Sequence, residues 1–267
     1  MDNEPIISFR DVCYTPDDTT VLHRLNLDVY GGETLVLLGE SGCGKTTTLR
    51  LINRLLLPTE GTVEVEGRST RAWNENDLRR RIGYVIQDGG LFPHFTVERN
   101  IGLVPQLLGW QADKIKARVQ EMLNVVGLAT ERYAHRLPHE LSGGQRQRVG
   151  VARALAADPH ILLLDEPFGA LDPLTRAELQ NEFKRLAASL GKTTVFVTHD
   201  VREALMLGSR VALMKAGDIA VLATPEQFLA ADDPTARAYL ATLELPTTTA
   251  SHNPPNASAT TQSGVNK

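Results

Sequence analysis

Three short, largely apolar runs punctuate the chain, at residues 34–38, 161–164 and 193–198. None alternates polar with apolar positions. Each therefore predicts a strand buried on both faces, as in a parallel sheet covered by helices on both sides. Residues 82–86 form a weaker fourth run. Helical periodicity follows these runs, first over 47–57. Asp172 and Pro173 then pair a capping residue with proline at the first helical position. Leu179, Phe183, Leu186 and Leu190 recur on one face beyond them until Gly191 stops the helix. Strands alternating with helices predict an α/β core with a parallel sheet.

Two stretches break this rhythm. From about 92 to 157 the pattern is helical, at 114–126 and again at 145–156, with no convincing strand. This predicts a helical subdomain inserted into the core. Near the N-terminus, 6–9, 25–29 and 62–66 are bounded by Gly and Pro and predict a small antiparallel layer. The ordered domain is expected to span 1–245. From 246 to 267 the chain turns to Thr, Ser, Asn, Ala and Pro, which cannot offset the entropy of ordering by burial, so a disordered tail is expected. The Asn256-Ala257-Ser258 triplet in it fits a glycosylation sequon only as a coincidence of composition.

Composition narrows the class. The 267 residues are 42% apolar and 22% charged, the balance of a soluble globular domain able to bury its own core. A net charge of −4 advertises no nucleic-acid partner. The two cysteines, Cys13 and Cys43, lie far apart and favour a reducing compartment. No stretch approaches the roughly 18 apolar residues of a spanning helix, and the acidic N-terminus does not read as a signal peptide. Any membrane role is expected to be peripheral.

The chemistry starts at Gly39-Glu-Ser41-Gly42-Cys43-Gly44-Lys45-Thr46-Thr47, between the first strand and the first helix. Strand, glycine-rich loop and helix are the context of a P-loop, whose backbone N–H groups and helix N-terminus receive phosphates. Lys45 is expected on the β- and γ-phosphates and Thr46 on Mg²⁺. A second apolar run delivers Asp165 and Glu166 to the sheet edge where ligands of such sheets bind. Asp165 suits the Mg²⁺ shell, and Glu166 suits a general base for water. A kinase, a GTPase and a transport ATPase fit these parts equally.

The Leu141-Ser142-Gly143-Gly144-Gln145 segment distinguishes them. Ser142 and Gln145 have capping-box spacing, and the glycines leave the helix's first N–H groups open to an anion. With Gln87, Ala170-Leu-Asp172 and His199 in order along the chain, the sequence resembles the nucleotide-binding subunits of ABC transporters from about residue 7 to 245. The resemblance implies a P-loop NTPase (RecA-like) core and ATP with Mg²⁺ as ligands. It also implies a head-to-tail homodimer, each ATP lying between one P-loop and the other subunit's Ser142, Gly143, Gly144 and Gln145. Tyr14 would stack on adenine, Gln87 would sense the γ-phosphate or Mg²⁺, Asp172 would signal across the dimer, and His199 would hydrogen-bond the γ-phosphate and help orient Glu166.

The text around Gln87, running from Ile82 through Leu91-Phe92-Pro93-His94 to Trp110, is similar to importers of quaternary amines such as glycine betaine, choline and carnitine. That resemblance implies transmembrane permease subunits, an extracytoplasmic solute-binding protein as an indirect partner, and a place on the cytoplasmic face of the membrane. Import of amino acids or other small solutes remains an alternative. So, more distantly, does a soluble ABC ATPase acting on nucleic acid or ribosomes. Many members of the quaternary-amine group carry paired CBS modules where this chain has its polar tail.

Overall fold

The computed structural model describes residues 4–169 and 171–243. Its first strands are β1 (Ile7–Tyr14), β2 (Leu22–Val29) and β3 (Thr34–Gly39), followed by α1 (Lys45–Ile52), β4 (Glu60–Val65) and β5 (Arg68–Ser69). β1 pairs antiparallel with β2 and with β4, and β5 extends β4, giving the small sheet β2-β1-β4-β5. Ile7, Phe9 and Val12 on β1 are fully buried, and they face Leu22, Leu25, Val63 and Val65 in one apolar cluster.

α2 (Glu75–Arg81) leads into β6 (Ile82–Val85), and α3 (Val97–Leu107), α4 (Ala112–Val125), α5 (Thr130–Tyr133) and α6 (Gly143–Leu155) fill the stretch before β7 (Ile161–Asp165). No strand occurs between β6 and β7. α7 (Pro173–Leu190), β8 (Thr193–Thr198), α8 (Val201–Leu207), β9 (Arg210–Lys215), β10 (Asp218–Ala223), α9 (Pro225–Leu229) and α10 (Pro234–Ala241) complete the described chain. The large sheet runs β10-β9-β3-β8-β7-β6, parallel except for β10 at its edge.

The unbroken apolar runs have a plain cause. Leu35 and Leu37 of β3 enter the cluster shared with the small sheet, while Val36 and Leu38 enter the one shared with the helices. Both faces are dry, so neither can be polar. Each fully buried leucine contributes about 1.5–3 kcal/mol relative to exposure. α3, α4 and α6 share their apolar cluster with this second face through Val97, Ile101, Leu123 and Val149.

Three expectations change. The first helix ends at Ile52, not at 57: Arg54 takes φ 54° and the Leu55 N–H turns back onto Asn53 Oδ1, leaving Leu55 and Leu57 exposed. β9 and β10 are strands that the apolar runs did not announce; β9 has four buried residues, too few to separate from a helix segment by pattern. β5 is two residues long and carries no periodicity at all. The expected tail at 246–267, with Asn256, and Ala170 of the Ala-Leu-Asp motif lie outside the described residues. Among those described, no helix is long and apolar enough to cross a membrane.

Candidate active site

The loop after β3 closes over its own lysine. Lys45 Nζ donates to the carbonyls of Gly39 at 2.8 Å and Glu40 at 2.7 Å, and the side chain is buried. These carbonyls occupy a cation whose charge a phosphate can take over. Gly44 caps α1 at φ 104°, and a Cβ there would meet Leu22 Cδ2 at 2.6 Å, so only glycine fits this turn. Leu22 is the cross-strand partner of Tyr14, which places half-buried Tyr14 one strand away from the loop. Ser41 and Gly42 are exposed, Thr46 and Thr47 are half-buried, and Cys43 is buried with its thiol pKa raised by that burial.

Thr46 Oγ1 donates to Asp165 Oδ1 at 2.8 Å, joining the first turn of α1 to the end of β7. The Tyr84 hydroxyl, from β6, donates to Asp165 Oδ2 at 3.4 Å. Burial raises the Asp165 pKa, countered by these two hydrogen bonds; burial and the neighbouring Asp165 charge push the Tyr84 phenol up to about 12. A hydroxyl beside a desolvated carboxylate is a hard oxygen donor pair, which fits Mg²⁺: that ion keeps several waters and takes one or two protein ligands together with phosphate oxygens. Among the described residues no group of three or more His, Cys, Asp or Glu could form a closed metal cage.

Glu166 follows directly and stands at φ 44°, a left-handed conformation rare for a side chain of its size. Its N–H donates to the Val197 carbonyl at 3.1 Å and its own carbonyl accepts from Gly169, so the turn is held from both sides. Such strain costs about 1–3 kcal/mol and persists where the surroundings dictate it. It aims the carboxylate at the end of β8, where His199 Nδ1 lies 3.4 Å from Oε2. A cavity of about 620 Å³ opens beside this pair, lined by Glu40, Ser41, Glu166 and His199, with Tyr239 and Thr242 from the C-terminal helix region. None of the residues lining it comes from 141–145.

The Ser142 segment is built as its spacing predicts. Ser142 Oγ accepts from the Gln145 N–H at 3.3 Å and Gln145 Oε1 accepts from the Ser142 N–H at 3.0 Å, a reciprocal capping box at the start of α6. Ser142 is exposed, and Gly144 packs so closely on α7 that a Cβ would meet Thr175 Cγ2 at 2.6 Å. Asp172 caps α7 through the Thr175 N–H at 3.1 Å and is exposed. Gln87 is exposed on a short 3₁₀ turn, Gln87–Gly89. Arg153 of α6 ties down that turn, donating to the Gly89 carbonyl at 3.0 Å and the Gly90 carbonyl at 2.8 Å.

The structure brings together two of the candidate pairs, Thr46 with Asp165 and Glu166 with His199. It leaves Ser142, Gly143, Gly144 and Gln145 off the cavity that holds Glu166 and His199. Tyr84, Arg153 and α10 are participants that sequence reasoning missed. Asp233 before Pro234 is a helix-start signal that would have found α10. Nothing in the sequence says that it lies over the phosphate loop.

A phosphate loop at the N-terminus of α1, a carboxylate pair at the neighbouring strand end, and a parallel sheet carrying an antiparallel side layer define an ATP-binding cassette. The chain belongs to the ABC transporter family, whose profile matches residues 22–169. It is 52% identical over 208 residues to the glycine betaine/carnitine/choline transport ATP-binding protein OpuCA of Bacillus subtilis, covering 78% of this chain and 54% of that protein. It is 51% identical over 207 residues to the osmoprotectant import ATP-binding protein OsmV of Salmonella typhimurium, covering 78% and 54%. The chain therefore spans about half the length of the curated relatives it matches. Among solved structures, a dimeric ATP-binding cassette in a post-hydrolysis state bound to ADP and Pi superposes with a TM-score of 0.73 at 35% identity, covering 82% of this chain and 98% of that one.

Proposed function

We propose that the chain is the ATP-hydrolysing subunit of an importer, working as a head-to-tail pair to drive uptake of quaternary-amine osmoprotectants. One observation carries the shared site. The cavity with the phosphate loop, Glu166 and His199 has no contribution from 141–145, yet Ser142 presents an exposed helix start, its box engaging only the Ser142 and Gln145 N–H groups, of the kind that binds anions. A second copy, turned head to tail, supplies what the first lacks.

ATP enters along the phosphate loop, and Lys45 exchanges the Gly39 and Glu40 carbonyls for phosphate oxygens. Tyr14 stacks on the adenine. Ser41 to Thr47 offer N–H groups to the phosphates, with Thr46, Asp165 and Gln87 as the residues that would hold Mg²⁺. When bound, that ion neutralises charge on the phosphate oxygens. Glu166 takes a proton from the water that attacks the γ-phosphorus while the bond to the ADP oxygen breaks. His199 orients the Glu166 carboxylate. Because ATP touches both subunits, its affinity differs between the open and closed pair, and cleavage reverses the bias. Asp172, exposed at the head of α7, faces across the pair.

The membrane partner has a natural seat. A groove of about 330 Å³ beside the Gln87 turn is lined by Ile86, Gly90, Phe92, Leu103, Val104 and Arg153, and Ile86 and Phe92 are exposed there. Permease subunits dock in it and place the chain on the cytoplasmic face of the membrane; a solute-binding protein acts on the far side. The names of the relatives support the quaternary-amine cargo.

The test is steady-state ATP hydrolysis by the purified chain. The rate per chain should rise with chain concentration and require Mg²⁺. A rate per chain independent of concentration would contradict the shared site. For cargo, deleting the chain from its host should lower glycine betaine or choline uptake at high osmolarity; unchanged uptake of both would remove that assignment.

A further inference from the structure

Glu203, in the first turn of α8, is 5% exposed and takes no part in the scheme above. Its Oε2 accepts a short hydrogen bond from Thr198 Oγ1, and its Oε1 accepts from Gln180 Nε2 at 2.7 Å. Thr198 Oγ1 accepts in turn from the Asp200 N–H at 3.0 Å. The residue enclosed between Thr198 and Asp200 is His199. The carboxyl therefore holds Thr198 directly and Asp200 through the Thr198 hydroxyl, and ties them to α7 at Gln180, about two turns past the Asp172 cap.

The placement is costly. Burial and the neighbouring Asp200 push the Glu203 pKa up, against the two hydrogen bonds and Arg176. An apolar residue of similar volume would fill the space without that desolvation. What an apolar residue cannot do is hold the Thr198 hydroxyl in the one orientation that fixes the Asp200 N–H. His199 itself is exposed, with 62% of its side chain open, so its ring has little packing of its own to keep Nδ1 at Glu166.

We propose that Glu203 is a positioning residue: through Thr198 and Asp200 it sets His199 against Glu166, and through Gln180 it passes the position of α7 to that pair. The inference rests on the proposed ATP hydrolysis.

The experiment is a double-mutant cycle on ATP hydrolysis by the full chain. Glu203→Ala should lower kcat roughly tenfold while KM for ATP stays within about twofold. Glu203→Gln should recover at least about half of the lost rate, since an amide can still accept from the Thr198 hydroxyl and donate to a flipped Gln180. In a His199→Ala background, Glu203→Ala should change kcat by less than about twofold, because its route of action is gone. Independent, multiplying losses in the double variant, or unchanged kcat in Glu203→Ala, would overturn the proposal. If Glu203→Ala does not fold, Thr198→Val removes the hydroxyl through which the carboxyl reaches Asp200. It must show the same loss, absent in the His199→Ala background. A wild-type chain without ATP hydrolysis would overturn the proposed function itself; an active wild type with multiplying losses would overturn this inference alone.

Discussion

His199 Nδ1 stands 3.4 Å from Glu166 Oε2, joining the ends of β8 and β7 across the mouth of the cavity. The histidine is the more exposed partner, and the proposed function gives it the orientation of the carboxylate rather than a part in the fold. His199→Ala should lower kcat by about a hundredfold, as a misplaced reacting group does, and leave the melting temperature within a few degrees. A large fall in melting temperature with a small change in kcat would reverse that assignment.

Asp165 shows the cost of keeping such a site. Its carboxyl is buried beside Thr46 and Tyr84, with its pKa raised chiefly by desolvation. A carboxyl whose folded pKa lies above its unfolded value contributes stability at low pH that is lost as pH rises through the folded pKa. Asp165→Asn should raise the melting temperature of the nucleotide-free chain at neutral pH, since the amide still accepts from Thr46. The gain should shrink toward pH 4. The same variant should lose Mg²⁺-dependent hydrolysis by at least about a hundredfold. Thermal melts across pH, paired with an ATPase assay, read both.

Ser142 caps α6, and the proposed function adds a second, separable duty, receiving phosphate. Aspartate caps as well as serine, and its charge suits a helix N-terminus. Ser142→Asp should therefore keep the melting temperature, whereas Ser142→Ala costs about 1 kcal/mol of cap energy. Yet Ser142→Asp sets a negative charge where the partner's γ-phosphate must dock. It should abolish ATP-driven pairing while leaving ATP binding to the single chain intact, measured by nucleotide titration and light scattering.

The Gln87 turn depends on Arg153, a half-buried guanidinium whose pKa is lowered by desolvation. Arg153→Ala should release the Gly89 and Gly90 carbonyls, and amide exchange at 87–90 should quicken by an order of magnitude or more, in line with a lost charged hydrogen bond of about 1.5–3 kcal/mol. Slow exchange retained in the variant would mean that the turn is held by other contacts.

The parts legible in the sequence are those with local causes. β3, β7 and β8 are apolar throughout because both faces are buried, and the two clusters divide their side chains alternately. Caps at Asp172, Ser142 and Gly191 follow from short-range hydrogen bonding and backbone geometry. Thr46 and Asp165 could be paired because each sits at the end of a strand or the start of a helix in a fold with known edges. What stayed hidden depends on tertiary placement. β9 is apolar but short, α10 carries no hint of the loop it covers, and Glu203 reads as an ordinary charge on a helix until Thr198 and Gln180 are brought to it.

In the proposed cycle two chains close around ATP, and Glu166 ends the closure by cleaving it. Light scattering of Glu166→Gln with saturating ATP and Mg²⁺ tests this directly. The expected result is a stable pair of chains that holds ATP and turns over at least about a hundredfold more slowly than wild type. A variant that stays monomeric with ATP bound, or that hydrolyses ATP at the wild-type rate, would contradict it.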